Sequence, residues 1–208
     1  MTVEYSQRKD QNMKIRSDFV SNSSSSSFII IVKEGTDRTD EIKSDFQWYR
    51  EDWTSYPIPN TNGKHEFGLE WEDTNSFEGK LNFVGIQLLY LFLEKISNEK
   101  REYKRLYTGK DFDRLYDMLK HVCKEKFGFN VKLNPNVINT NIWFSEDKGG
   151  YYGFNTLADG YYIDHQSASL EGECMEMFES EDALYDFLRF DESYIRGGND
   201  NSDGPEDY

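Results

Sequence analysis

The pattern of apolar and polar positions along the chain predicts both strands and helices. Residues Phe28 to Val32 form an unbroken apolar run in which four of the five residues are β-branched. Such a run, without alternation, is typical of a short strand buried on both faces. Five serines, Ser23 to Ser27, come directly before it and predict a polar loop that leads into this strand. Glu66 to Glu72 instead alternates apolar and acidic residues, which predicts a half-exposed strand with an acidic outer face.

Helical spacing of apolar residues is clearest in the middle of the chain. Leu81 to Tyr107 predicts a long helix. Its first half is apolar on nearly every side and should lie in the core, whereas its second half is charged and should project into solvent. Asp111 to Lys126 predicts a second helix, which should end at Gly128 as its C-terminal cap.

A shorter helix is predicted over residues 40–52. Its apolar residues recur at helical spacing, so Ile42, Phe46 and either Tyr49 or Trp48 should share the inner side. The charged residues between them should face solvent.

Other elements are predicted from local signals. Ser180 is expected to cap a helix over residues 181–190, whose first turn is acidic as the helix dipole favours. Pro57 and Pro59 are expected to exclude regular structure where they stand. The remaining predicted elements are a pair of strands at 129–133 and 139–144, a tight turn at 149–153, a strand at 161–165 and an edge strand at 193–195.

These elements place the chain in the α+β class, with a mixed or antiparallel sheet packed against two or three helices. One domain is expected over residues 13–196, since 208 residues suffice for a single substantial core. Residues 1–12 are polar without periodicity, so they are expected to be disordered or to precede the true start of translation. Residues 197–208 are rich in Gly, Asn and Asp and are expected to form a mobile acidic tail.

The residues just before Met13 favour that methionine as the start of translation. Arg8, Lys9 and Asp10 can be encoded by a purine run that resembles a ribosome-binding site just upstream of Met13.

Residue usage indicates the source of the chain. The chain is poor in Ala and Pro and rich in Asn, Lys, Ile, Phe and Tyr, as AT-rich codons produce. A low-GC bacterium or one of its phages is therefore the expected source.

Charge is unevenly distributed. The chain carries 39 acidic and 24 basic residues, for a net charge of −15. Residues 34–78 contain 12 acids and 4 bases, and residues 159–208 contain 15 acids and 2 bases, whereas residues 94–126 contain 7 acids and 10 bases. This segregation either serves solubility or marks an electrostatic interaction surface. It argues against direct binding of nucleic acid, which requires clustered Lys and Arg.

The cysteines and the hydropathy pattern indicate a compartment. The two cysteines, Cys123 and Cys174, form no C-x-x-C motif, and no secretory signal peptide is expected. The most apolar run, Leu81 to Leu93, is too short and too polar to span a bilayer. A reducing bacterial cytoplasm without membrane contact is therefore expected.

Three segments resemble a known group of proteins. The run from Met13 to Phe28, M-K-I-R-S-D-F-V-S-N-S-S-S-S-S-F, resembles the start of uncharacterised proteins from low-GC bacteria and their phages, which begin at the equivalent methionine. Residues 161–167 and 193–201 are similar to later parts of that group. The resemblance implies a lineage and carries no activity.

The serine run is the first candidate site. Asn22, Ser23, Ser24, Ser25, Ser26 and Ser27 could form a structural loop stabilised by side-chain turns, contact a ligand or protein partner, or be modified or cleaved at Asn22–Ser23. The structural loop is the favoured interpretation, since serines readily hydrogen-bond their own backbone.

A second candidate lies at the end of the strand predicted at 161–165. Asp164 and His165 are adjacent, so on a strand they point to opposite faces and do not form a catalytic pair by themselves. Cys174 could serve as a nucleophile beside His165, or Glu171 and Glu173 could join it at a metal ion. No spacing matches a known nucleophile or zinc motif, so no metal site and no cofactor are predicted.

Two functions from different classes remain open. The first is a non-enzymatic acidic protein of phage or mobile-element origin that binds or inhibits a basic host protein, such as one that binds nucleic acid, in an anti-defence or host-takeover role. The alternative is a divergent hydrolase or metal-dependent enzyme centred on His165 with the loop Ser23–Ser27 nearby. The absence of a catalytic motif favours the first, with the serine run as a candidate partner contact.

Overall fold

The computed structural model describes residues 25–51, 54–60, 65–67, 72–98, 110–145, 150–163 and 173–199. Within these ranges the α-helices are α1 (Thr39–Asp45), α2 (Gln47–Glu51), α3 (Phe77–Asn98), α4 (Lys110–Val122) and α5 (Glu181–Arg189). The β-strands in the same ranges are β1 (Ser25–Ile30), β2 (Ser55–Ile58), β3 (His65–Phe67), β4 (Glu72–Thr74), β5 (Asn130–Leu133), β6 (Ile138–Ser145), β7 (Gly150–Leu157), β8 (Tyr161–Ile163) and β9 (Tyr194–Asn199).

The α+β class is confirmed, and the helices and strands belong to a single domain. The sheet differs from the expected single one, because the described strands form four small sheets. One has three antiparallel strands in the order β1–β9–β4, and β6 pairs antiparallel with β7. The pairs β2–β5 and β3–β8 are parallel.

Helix α3 is the centre of the core. Every residue from Leu81 to Leu89 is buried, which confirms the predicted central half of this helix. Gly85 lets the helix approach β2 closely, since a Cβ atom added there would lie 3.1 Å from the Ile58 Cβ and the Pro59 nitrogen. None of the described helices is long and apolar enough to cross a membrane.

The predicted helix ends at Gly128 and Ser180 are confirmed. After α4 the chain makes one π-helical turn, Cys123–Phe127, and ends at Gly128, whose φ of 84° lies in the left-handed region that glycine adopts at low cost. At the start of α5, the Ser180 hydroxyl accepts a hydrogen bond of 3.0 Å from the Ala183 backbone N–H.

The predicted helix over residues 40–52 is divided at Phe46 into α1 and α2. Phe46 stacks on Phe129 with ring centroids 4.7 Å apart, and Tyr49 contacts Tyr56 at 5.0 Å. These two aromatic rings fix the inner side of both helices against the core. Trp48 lies on the other side and is 59% exposed, which settles the choice between Tyr49 and Trp48.

Several strand predictions are wrong in their pairing. β5 and β6 do not pair with each other, and β9 is the central strand of its sheet instead of an edge strand. Residues 150–153, predicted as a turn, belong to β7. Pro57, which was expected to exclude regular structure, lies within β2. Among the described strands β2 pairs only with β5, so one edge of β2 needs no N–H donor.

Candidate functional site

The serine run lies partly in the described structure. Ser25, Ser26 and Ser27 belong to β1, where they pair with Asn199, Gly198 and Gly197, so the expectation of a polar loop is wrong for these three. All three serines are held by backbone pairing within a strand. Strand β9 thereby continues to Asn199, past the predicted start of the tail at residue 197. Asn22, Ser23 and Ser24 lie outside the described residues.

The proposed enzyme site stays a prediction. Asp164, His165 and Glu171 lie outside the described residues. The backbone of Glu173 and Cys174 is described and belongs to a 3₁₀-helical segment, Glu173–Phe178. The other cysteine, Cys123, is buried, and burial raises the pKa of its thiol, which makes it unreactive. Among the described residues no group of His, Cys, Asp and Glu could hold a metal ion.

Two acidic segments that are distant in sequence meet at the surface. Residues 33–41 carry four acids and two bases, and residues 179–192 carry six acids and one base. The Arg38 backbone N–H donates to the Arg189 carbonyl at 3.0 Å. The Glu192 carboxylate accepts hydrogen bonds from the Thr36 N–H at 2.8 Å and from its hydroxyl at 2.9 Å. We call these two joined segments, residues 33–41 and 179–192, the acidic surface.

Two arginines connect the segments of the acidic surface. Arg38 lies 3.0 Å from Asp191 and also pairs with Glu41, and these hydrogen bonds raise its pKa. Arg189 lies 2.8 Å from both Asp37 and Asp186. Both guanidinium groups are thus occupied by carboxylates of the same surface, which leaves them little capacity to neutralise other acids.

Three further acids of this surface have no such partner. The side chains of Glu34, Asp40 and Asp182 are exposed, and among the described residues no cation or hydrogen-bond donor pairs with them. On one side the surface is bounded by the end of α4, where His121 lies 3.6 Å from Glu181. The local potential is therefore negative and directed to solvent.

Beneath the acidic surface lies a buried lysine. Lys80, on α3, is 1% exposed, and its ammonium group donates to the carbonyl oxygens of Phe190 at 2.7 Å and Ser193 at 3.1 Å. Burial lowers its pKa to about 7, an effect that Arg38 adds to and that Asp191 and Glu192 oppose. The amine contacts no solvent, so its role is to hold the turn that carries Asp191 and Glu192.

A second polar cluster lies at the other side of α3. Asn60 donates a hydrogen bond of 2.6 Å to the Tyr56 hydroxyl, and both contact the Glu78 carboxylate. The Asn60 backbone N–H donates to Asn82 Oδ1 at 2.9 Å. Burial and the hydrogen bond to Glu78 raise the pKa of Tyr56, so the phenol stays protonated and cannot act as a base. This cluster fixes the chain after β2.

Sequence reasoning missed the buried Lys80 and the polar cluster around Glu78 and Asn82. A signal for Lys80 was present, because residue 80 falls on the apolar face defined by Phe77, Leu81 and Val84 at helical spacing. A lysine on such a face must bury its stem and find acceptors for its ammonium group. The identity of those acceptors depends on residues more than a hundred positions away.

Comparison of the chain with known protein families, with curated proteins and with solved structures gave no match.

Proposed function

We propose that this protein is a non-enzymatic interaction protein that binds a basic protein through its acidic surface. The supporting observation is the joining of residues 33–41 to residues 179–192 into one surface. Each segment alone is a short acidic stretch, which most often serves solubility. A rigid surface in which the internal arginines are already paired with acids offers a fixed negative field to a partner.

The rigidity of the surface supports recognition over simple solubility. Its two segments are held by backbone hydrogen bonds, by the arginine pairs and by Lys80 beneath the turn. Because these contacts order the carboxylates in advance, a partner would lose less conformational entropy on binding. Acids that served only solubility would need no such framework.

The proposed partner is a basic protein of the bacterial host, of the kind that itself binds nucleic acid. Ordered carboxylates can replace the phosphates of a nucleic acid, because a basic protein surface is arranged to meet closely spaced negative charge. The net charge of −15 disfavours binding to nucleic acid directly. In a phage or mobile element, in the cytoplasm of the host, such binding would block a host enzyme and serve an anti-defence or host-takeover role.

Affinity capture tests this proposal. The protein, tagged at one terminus, is exposed to lysate of a low-GC bacterium at low and at high salt, and captured proteins are identified by mass spectrometry. Asp182→Lys is compared with Asp159→Lys, which makes the same change in net charge at the exposed turn before β8, at a residue that is not part of the acidic surface.

The proposal expects a basic partner that is captured at low salt, weakened at high salt and weakened by Asp182→Lys but not by Asp159→Lys. Recovery of no basic partner at either salt concentration would contradict it. Equal effects of the two substitutions would reduce the interaction to net charge, which would also contradict it.

A further inference from the structure

We propose that Trp48 is the anchor of the partner contact and that it stacks on an arginine side chain of the partner. This inference rests on the proposed function and names the chemistry of the contact. Among the described residues, Trp48 is the large apolar side chain that is exposed, with an exposed fraction of 59%. An exposed tryptophan costs solvation free energy in the free protein, and tryptophan is strongly enriched among the residues that dominate binding energy.

Trp48 is held in place by the residues on either side of it. Phe46 stacks on Phe129 at 4.7 Å, and Tyr49 contacts Tyr56 at 5.0 Å in an edge-to-face arrangement. The rings of Trp48 and Tyr49 are themselves 5.2 Å apart at an interplanar angle of 87°. A tryptophan presented on a fixed helix loses little conformational entropy when a partner binds.

Acids outnumber bases in the two helices around Trp48, since residues 39–51 carry four acids and two bases. Helix α1 begins within the acidic surface, and its exposed residues Asp40, Glu41 and Asp45 lead along α1 to α2. Glu51 is exposed one turn beyond Trp48 and accepts a hydrogen bond from Gln47. Among the described residues, no cation pairs with the side chains of Asp40 or Asp45. A partner group at Trp48 would therefore meet an aromatic face with the Glu51 carboxylate one helical turn away.

This combination fits a guanidinium group better than an ammonium group. A guanidinium is planar and weakly hydrated, so it can lie flat on an indole ring while its N–H groups donate to adjacent carboxylates. An ammonium group is more strongly hydrated and makes the same contact at a higher desolvation cost. The expected occupant is an arginine-containing basic segment, with the charge complementarity of α1 setting its orientation.

Peptide binding tests the inference directly. A nine-residue polyarginine and a nine-residue polylysine of equal charge serve as probes, and their affinities are measured by fluorescence anisotropy at low salt. The variants are Trp48→Ala, Trp48→Phe and Asp182→Lys, with Asp159→Lys as the control for net charge. Circular dichroism confirms that each variant is folded, as expected for exposed positions.

We expect the unchanged protein to bind polyarginine more tightly than polylysine. Trp48→Ala should weaken polyarginine binding roughly tenfold and remove the preference, whereas Trp48→Phe should keep part of both. Unchanged affinity and preference in Trp48→Ala would overturn the anchor. If Asp182→Lys still weakened binding more than Asp159→Lys, the acidic surface would stand without the anchor; if it did not, the proposed function would fall as well.

Discussion

The ammonium group of Lys80 lies 2.7 Å from the carbonyl oxygen of Phe190, the C-cap residue of helix α5. The contact joins the most buried helix, α3, to the turn that carries Asp191 and Glu192. A cation at the C-terminal end of a helix also meets the negative end of its dipole. One interior side chain thus fixes one half of the acidic surface from below.

The buried position of Lys80 predicts a pH dependence of stability. Burial lowers the pKa of Lys80 from 10.5 to about 7 in the folded protein, whereas the unfolded chain keeps the ordinary value. Between these two values the unfolded state binds a proton that the folded state does not, so the free energy of unfolding rises with pH across this window. The expected rise is on the order of 5 kcal/mol.

Urea denaturation of the unchanged protein and of Lys80→Met at several pH values between 7 and 10 measures this effect. The difference in the free energy of unfolding, unchanged protein minus variant, should increase with pH, because methionine does not titrate. Taking the difference removes the contributions of tyrosines and of other lysines. A difference that stays constant would show that Lys80 titrates alike in the folded and unfolded chain.

The N-terminal cap of α5 gives a second prediction. Ser180→Ala removes the hydroxyl that accepts from the Ala183 N–H, and should lower the free energy of unfolding by about 1 kcal/mol. Ser180→Asp is the matched control, since an aspartate also caps a helix and should keep stability near its original value. Thermal denaturation of the three proteins checks this, and equal losses in both variants would count against the cap.

Helix prediction succeeded where the signal is local. The residues of α4 repeat at helical spacing, and Gly128 and Ser180 mark helix ends by their own backbone or side-chain chemistry. Strand pairing failed because the partner of a strand is chosen by distant packing. Nothing in the local sequence of β5 indicates that it pairs with β2 rather than with β6.

In the candidate site, too, the features that depend on local sequence could be predicted, whereas those that depend on distant contacts could not. The excess of acids in both parts of the chain could be predicted from composition, and Trp48 was one of two aromatic residues considered for the inner side of its helix. The joining of residues 33–41 to residues 179–192 could not be predicted. It depends on an isolated antiparallel β-bridge between the backbones of Asp37 and Phe190 and on long-range arginine pairs. Lys80 was missed although its helical position carried a signal.

The polar cluster at the end of β2 gives a third prediction. Asn82→Leu removes the acceptor for the buried Asn60 N–H, which lies 2.9 Å from Asn82 Oδ1. An unpaired buried donor should lower the free energy of unfolding by roughly 1–3 kcal/mol. Asn130→Leu, at an exposed position of β5, is the control and should change stability by less than about 0.5 kcal/mol. Urea denaturation distinguishes the two, and a loss in Asn82→Leu no larger than in the control would refute the role of Asn82.

Close packing at Gly85 gives a fourth prediction. In Gly85→Ala the new methyl group would lie 3.1 Å from Ile58 Cβ and from the Pro59 nitrogen, and Ile58 is fully buried. Alanine favours a helix over glycine by about 1 kcal/mol, but crowding in a packed core costs roughly 1–3 kcal/mol. A net loss is expected, because the strand that carries Ile58 is held by its pairing with β5 and cannot move away freely. A calorimetric melting temperature that increases would contradict this account.

The most direct test of the acidic surface reverses one charge in each of its two segments. The dissociation constant of the captured basic partner is measured for Asp40→Lys, for Asp182→Lys and for the control Asp159→Lys, each at the same ionic strength. If the two segments form one binding surface, the first two variants should each weaken binding by roughly tenfold more than the control, which corresponds to about 1.4 kcal/mol. Binding that is weakened to the same extent by all three variants, or by neither Asp40→Lys nor Asp182→Lys, would contradict the central claim.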